Sequence, residues 1–444
     1  MTLLWLAGLM LALAALLAAR WLSAVAAAGA GYKAKVAASA LFVSGLALDL
    51  DSAPELNAES YRALRLFRAK ADGRRRSVRA KLPGFRARTA VFRAGAGATL
   101  ADGEPAALSV PPASGKSCEF PRAAASRALS AVLDSAFTEP NARGLRRTRA
   151  VLVLQDGHLL GERYAAGFGP DTALNGWSMA KAALGALVGV AVGEGKLALS
   201  QSSLLPQWSA PGDPRAAIKV EDLLRMRSGL RFSERYSDLA SDVVRMLFVQ
   251  PDAGGFAASK ALAAAPGSHW QYSSGSTNIL SLALRRAYGE EAYHALPRRA
   301  LFDPLGMGTA IFEADASGTF VGSSFLFASA RDWARFGQLH LQGGVWEGRR
   351  LLPEGWTTFI STPTPQAPDG CYGAHWWLKL QKELGGGGAE AARIPPGTLH
   401  ALGHEGQCLT IVPERGLVIV RLGLSIRIEA WNHASFVAAV LDAV

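Results

Sequence analysis

Three kinds of hydrophobic pattern follow one another along this 444-residue chain. The first is unbroken. Residues 3–19 are all apolar and run into Arg20, Trp21 and an alanine-rich stretch. That is long enough for a membrane span and slightly long for the core of a signal peptide. The second pattern alternates. Leu64 and Leu66 intersperse with Arg65 and Arg68, Asp72-Gly73 follows, and Val78, Ala80 and Leu82 then intersperse with Arg79 and Lys81. Asp-Gly between alternating segments predicts a β-hairpin. Residues 149–155 and 158–164 flank Asp156-Gly157 in the same way, and 407–412 and 417–422 flank the turn 413–416. The third pattern is helical. Residues 182–192 are apolar on every face, which marks a core helix. Residues 430–444 carry Phe436, Val437, Val440 and Leu441 at the spacing of a closing amphipathic helix. Residues 200–345 read as mainly helical with proline and glycine breaks, and Gly385 to Gly388 as a loop tip. Hairpins flanking a helical middle predict an α+β fold, an antiparallel sheet flanked by helices with an inserted helical subdomain.

Half the residues are hydrophobic, ample for a sizeable core, and the formal net charge is +11. Much of the excess lies between Arg62 and Arg88, including Arg74-Arg75-Arg76. No aromatic platform interleaves these residues, so nucleic acid is not an expected partner. A solvated hairpin face is the plain reading, and contact with anionic headgroups the functional one. Cys118, Cys371 and Cys408 form no disulfide framework or zinc spacing, and buried free thiols are expected. The histidines contain no HExxH pair. No metal or other cofactor is implied.

The chemistry gathers at Gly176-Trp177-Ser178-Met179-Ala180-Lys181, at the mouth of the all-apolar helix. Residues three apart on a helix share a face, so the Lys181 amine can reach the Ser178 hydroxyl. A serine needs an adjacent base to become nucleophilic, and burial makes a lysine one by lowering its pKa. No other serine in the chain has a lysine three residues on.

Downstream, Pro266-Gly267-Ser268-His269-Trp270-Gln271-Tyr272-Ser273-Ser274-Gly275-Ser276-Thr277-Asn278 resembles the PGxxWxYSxxN segment of class C β-lactamase-like hydrolases. Gly403-His404-Glu405-Gly406-Gln407 resembles their GHxG strand. The segments ending in Ser228-Gly229-Leu230, in Pro304-Leu305-Gly306-Met307 and in Arg335-Phe336-Gly337 match further signatures in the expected order. The chain therefore resembles the serine β-lactamase and D,D-peptidase superfamily over residues 145–444. Its wording is most similar to the 6-aminohexanoate-dimer hydrolase and esterase branch.

That resemblance implies a β-lactamase/D,D-peptidase-like fold and an acyl-enzyme on Ser178, with Lys181 and Tyr272 sharing the proton work. It implies an oxyanion hole from the backbone N–H groups of Ser178 and Gln407, and a Gly406 that keeps the substrate's approach clear. Ser274 would hold Lys181 or a substrate amide, and His404 would orient Tyr272 or meet a substrate carboxylate. Trp376 and Trp377 are candidates for the pocket wall. Ser274 stands where β-lactamases have asparagine, and His404 where they have the lysine of Lys-Thr-Gly. Those departures argue for a small ester or amide as substrate. The alternatives are a penicillin-binding-like D,D-peptidase or β-lactamase of the cell envelope, and a catalytically silent binding protein.

The expected organisation is an anchor or signal segment over 1–30, a basic lead-in over 31–120, partly a β-hairpin, and a hydrolase domain over 121–444. Arg20, Lys33 and Lys35 on the C-terminal flank of the apolar segment argue for a cytoplasmic body. The habit of the resembled family argues for an extracytoplasmic, membrane-anchored enzyme, which is the reading adopted. Ala24-Val25-Ala26 and Ala28-Gly29-Ala30 are candidate cleavage sites.

Overall fold

A computed structural model of the chain describes residues 2–141 and 145–444. Of the expected anchor, only Met1 lies outside the described residues.

At the centre is a five-stranded antiparallel sheet. It is built from β5 (Thr148–Gln155), β6 (His158–Tyr164), β7 (Leu399–Gly403), β8 (Gln407–Val412) and β9 (Leu417–Gly423), in the order β7-β8-β9-β5-β6. Asp156 and Gly157 both take positive φ, the conformation that joins two strands most tightly. The strands read as continuous apolar runs because both faces of the sheet are covered. Leu152, Leu154, Leu409, Ile411, Val418 and Val420 face one core. Their alternating neighbours Val151, Val153, Cys408, Val412 and Ile419 face another. The second core is closed by α5 (His433–Ala443) through Phe436, Val437 and Val440.

The all-apolar segment forms α2 (Ala180–Gly193), buried on every side. Between it and α4 (Ala330–Leu341) lie mostly short helices, with α3 (Ser274–Tyr288) the longest. The helix α4 packs on the sheet at close range: a side-chain carbon on Gly337 would stand 2.5 Å from Val418. Trp376 stacks on Phe336 of this helix and is core rather than pocket wall. All three cysteines are free, but only Cys408 is buried, while Cys118 is exposed.

The N-terminal region departs most from expectation. Residues 2–42 form one helix, α1 (Thr2–Phe42), so the boundary expected at residue 30 falls inside it. The span Trp5–Phe42 contains an 18-residue stretch apolar enough to cross a membrane, with mean hydropathy 2.0. Residues 5–24 are exposed, but from Val25 onward the helix is built into the protein. Gly29 faces the Phe67 ring and Gly31 the Phe248 carbonyl, each closer than a side chain would allow. The Lys33 ammonium donates to the carbonyls of Leu64 (3.2 Å) and Phe67 (2.9 Å). Lys35 donates to the Ala98 carbonyl (2.7 Å) and pairs with Glu313. Lys33 and Lys35 are therefore internal residues and do not flank a membrane span. Cleavage after Ala30 would cut through the packed helix.

A four-stranded antiparallel sheet follows: β1 (Arg68–Asp72), β2 (Ser77–Lys81), β3 (Arg88–Arg93) and β4 (Gly97–Ala101), paired in chain order against α1. The expected hairpin is present as β1–β2, with Ala71 opposite Val78. Its connection has four residues rather than two, because Asp72 accepts hydrogen bonds from the N–H groups of Arg74 and Arg75. Residues 59–66 coil as 3-10 turns instead of extending the first strand. The lead-in docks on the hydrolase body through Arg147–Glu59 (2.8 Å) and Arg149–Glu55.

The Lys35–Glu313 pair gives a direct test of this packing. Both side chains are almost fully buried, and Glu313 also accepts from Ser39 Oγ (2.8 Å) and the Ala98 N–H (2.7 Å). Lys35→Ala leaves a buried carboxylate without its cation and should cost about 3–5 kcal/mol, whereas removing both charges as Lys35→Met with Glu313→Leu should cost less. Urea unfolding of the three proteins checks the order.

Candidate active site

The turn that carries Ser178 is strained. Trp177 takes φ +47, uncommon for a bulky residue, and is held there from three sides. The Asn175 side chain accepts from its N–H (3.0 Å), its indole N–H donates to Glu405 (2.9 Å), and its ring meets Phe325. Gly176 lies against Trp333, where a side-chain carbon would stand 2.5 Å away. The chain then enters α2, and Lys181 falls one turn beyond Ser178.

Lys181 is 1 % exposed and donates to three acceptors: Ser178 Oγ (2.9 Å), Ser274 Oγ (3.0 Å) and the Ser323 carbonyl (2.9 Å). Burial lowers its pKa to about 8, opposed by the charge of Glu234. Asn278 fixes the Ser323 acceptor by bonding its hydroxyl (3.0 Å) and its N–H (3.2 Å). His375 donates from Nδ1 to the Lys181 carbonyl (2.9 Å) and accepts at Nε2 from Thr277 Oγ1 (3.1 Å). Burial and the nearby ammonium push the His375 pKa down to about 3, so it stays neutral.

Tyr272 lies over the same amine, 4.9 Å from ring centre to Nζ, with its hydroxyl beside Ser178. It stacks on Trp377 at 5.4 Å and meets Tyr372 edge-on. Of the two candidate wall tryptophans, only Trp377 lines the site. Burial and the Glu234 charge raise the Tyr272 pKa, so this tyrosine is a neutral hydroxyl at pH 7 rather than a phenolate. Ser274, fully buried, accepts from Lys181 and donates to Glu234 (2.5 Å).

The expected GHxG strand is a turn. His404, Glu405 and Gly406 link β7 to β8, with Glu405 at φ +62 and Gly406 at φ +79. A side chain on Gly406 would meet Arg421 Nη1 at 2.7 Å, while that guanidinium donates to the Gly406 carbonyl (2.8 Å). The glycine is required by its own backbone and by Arg421. Gln407 opens β8, and its amide is tied to both backbone groups of Gly423 (2.7 and 2.9 Å).

His404 bonds neither Tyr272 nor an open substrate position. Its Nε2 is 3.0 Å from the Tyr61 hydroxyl, and its ring stacks on Tyr236 at 4.8 Å. Burial lowers its pKa, so it is neutral at pH 7. The Tyr61 hydroxyl also donates to Glu405 (2.9 Å). One carboxylate thus joins the lead-in to the Ser178 turn, since Glu405 also holds Trp177.

Ser178, Lys181, Tyr272 and Ser274 therefore meet in one cluster, with His404 and Gln407 on the adjacent edge. Sequence reasoning missed Glu234, Ser323, Tyr236 and Tyr61. Glu234 and Tyr236 sit in an irregular segment with no periodicity to read. Tyr61 is far from every motif.

A β-lactamase family model matches residues 133–423, and the chain belongs to that family of hydrolases. Among its relatives is the 6-aminohexanoate-dimer hydrolase of Paenarthrobacter ureafaciens, 27 % identical over 298 residues, 62 % of this chain and 72 % of that one. A candidate 6-aminohexanoate-dimer hydrolase from Bacillus anthracis superposes with a TM-score of 0.57 at 22 % identity, over 73 % of this chain and 88 % of its own. EstCE1, a hydrolase with promiscuous acyltransferase activity, gives 0.55 at 16 % identity, over 72 % and 97 %. These likenesses establish the β-lactamase/penicillin-binding-protein-like fold. The family match begins at residue 133, after α1, β1–β4 and Tyr61.

Proposed function

We propose that the protein is a serine hydrolase that cleaves a small ester or amide through an acyl-enzyme on Ser178. The observation that carries this reading is the buried Lys181 amine on the Ser178 hydroxyl, with a pKa low enough to yield neutral amine near pH 7–8. Neutral Lys181 takes the proton as Ser178 Oγ attacks the carbonyl carbon. The developing oxyanion is met by the N–H groups of Ser178 and Gln407. Such donors are each worth about 2.7–4 kcal/mol to a transition state. Lys181, now an ammonium, returns the proton through the Tyr272 hydroxyl to the leaving group, and water then releases the acyl chain by the reverse path. The exposed apolar half of α1 would hold the enzyme to a membrane. An extracytoplasmic body is proposed, since the burial of Lys33 and Lys35 removes two of the three charges that argued for the cytoplasm.

The substrate class follows from His404. A β-lactam carboxylate would find a neutral, Tyr61-bonded imidazole where β-lactamases offer an ammonium. A charge-assisted hydrogen bond is worth about 1.5–3 kcal/mol, so its loss costs roughly ten- to a hundredfold in affinity. On one preparation, kcat/KM for p-nitrophenyl butyrate should exceed that for nitrocefin by about a hundredfold between pH 6 and 8. Nitrocefin equal to the ester would favour the penicillin-binding-like alternative. Because burial lowers the His404 pKa, any gain with acidic substrates is expected only below about pH 6.5, the ordinary histidine value. Ser178→Ala should abolish labelling by a fluorophosphonate probe, and persistent labelling would sink the nucleophile assignment.

A further inference from the structure

We infer that the active site opens at the surface of the bilayer and takes its substrate from it. The substrate would be an amphiphile whose scissile ester or amide stands in or just above the headgroup layer. This rests on the serine-hydrolase reading, and the position of the site relative to α1 carries it.

The helix α1 serves as a ruler. Its exposed stretch, residues 5–22, is apolar except for Arg20 near its end and includes Trp5, Leu9, Leu11, Leu17 and Trp21, all more than half exposed. At about 1.5 Å per residue those 18 positions span about 27 Å, close to the roughly 30 Å hydrocarbon core of a bilayer. The exposed stretch ends at Ala24 and the body begins at Val25. Phe67 lies against Gly29, about 10.5 Å beyond Leu22 along the axis, and Tyr61 rings against Tyr32, about 15 Å beyond it. Tyr61 is hydrogen-bonded to His404, so the edge of the Ser178 cluster stands about 15 Å above the hydrocarbon. The interfacial layer itself is about 5–7 Å thick on each side.

The surface at that level matches a membrane. Outside residues 5–22, the large hydrophobic side chains that are exposed among the described residues are Leu66 and Leu239. Leu66 adjoins Phe67, and Leu239 lies three residues beyond Tyr236, the ring stacked on His404. Both leucines thus sit on the segments that frame the same histidine. Arg62 and Arg65 are exposed beside the first and Arg235 four residues before the second, with Asp51 and Asp238 as exposed acids nearby. Such a strip suits anionic headgroups, at about 1 kcal/mol per basic residue near the surface. Arg74, Arg75 and Arg76 do not belong to it. Arg76 donates to the Phe42 carbonyl, about 30 Å beyond Leu22 and several screening lengths from the membrane. The headgroup contact expected of the whole basic run is thereby confined to its first part.

The test uses the full chain in vesicles of phosphatidylcholine with one-third phosphatidylglycerol. Two chromogenic esters with the same acyl group are compared, one soluble and one joined by a short polar spacer to a dipalmitoyl lipid. The tethered ester should be cleaved at least tenfold faster at equal bulk concentration, because membrane confinement raises its local concentration. Leu66→Asp combined with Arg65→Glu should reduce the tethered rate about fivefold and leave the soluble rate within twofold, since neither residue touches the catalytic cluster. No advantage of the tether, or an equal loss on both esters, would overturn the inference. An environment-sensitive fluorophore at Leu66→Cys, in a Cys118→Ser background, reads bilayer contact without any turnover. Its blue shift on adding vesicles is expected, and no shift overturns the inference on its own. If neither ester is cleaved and the fluorophosphonate leaves Ser178 unlabelled, the hydrolase reading fails instead.

Discussion

Lys181→Ala should lower kcat/KM for a short p-nitrophenyl ester by about 10³-fold or more, within the range that general-base help supplies. The expectation rests on how little else can do its work. Among the groups that touch the Ser178 hydroxyl, Tyr272 is held protonated by burial and by the Glu234 charge, so it is a donor and not a base. His375 is neutral, but its two nitrogens are taken by the Lys181 carbonyl and Thr277. The wild-type rate should climb with pH through about 8 as the Lys181 ammonium loses its proton, and that limb should vanish in Lys181→Ala. Tyr272→Phe should cost more than a hundredfold, and the double substitution far less than the product of the two, because residues acting as a unit are non-additive. A limb near pH 8 that survives in Lys181→Ala would assign the titration to another group. Circular dichroism separates a catalytic loss from a folding one, since Lys181 is buried.

The same cluster shows what a sequence can and cannot disclose. Ser178 and Lys181 were legible because their contact is a helical one, set by three residues of local geometry. The strands β5, β6, β8 and β9 were legible because two turns with glycine interrupt long apolar runs. The reach of α1 to Phe42 was not. Its second half continues the alanine-rich run, but its stripe of glycine and alanine serves close packing on Phe67 and Phe248, which only the fold brings near. Lys33 and Lys35 read as flanking charges until their acceptors at Leu64, Phe67 and Ala98 are known, 31 to 63 residues away. His404 lies in a motif, but its partner Tyr61 is 343 residues distant and outside every motif. Long-range polar contacts of this kind leave no periodicity to read.

Glu234 is the clearest such case, and its removal should change the pH profile as well as the rate. Its carboxylate accepts from the Ser274 N–H (2.9 Å) and hydroxyl (2.5 Å), and that hydroxyl accepts from Lys181. The two charges are within about 5.5 Å through Ser274, where an effective dielectric constant of 20 gives about 3 kcal/mol of attraction. The attraction favours the ammonium, so Glu234 raises the Lys181 pKa against the stronger lowering by burial. Glu234→Gln removes that support. The ascending limb of kcat/KM should therefore move to lower pH, not higher, and more of the enzyme should carry neutral Lys181 at pH 7. The rate on the plateau should nevertheless fall about ten- to a hundredfold, because Ser274 loses a charged acceptor and the ammonium formed during attack loses its counter-charge. Glu234→Asp, with a shorter side chain of the same charge, should restore the limb better than the plateau. The measurement is kcat/KM for the short ester from pH 5.5 to 10 for all three proteins. A limb that stays near pH 8 in Glu234→Gln with an unchanged plateau would reduce Glu234 to an acceptor for the first turn of α3.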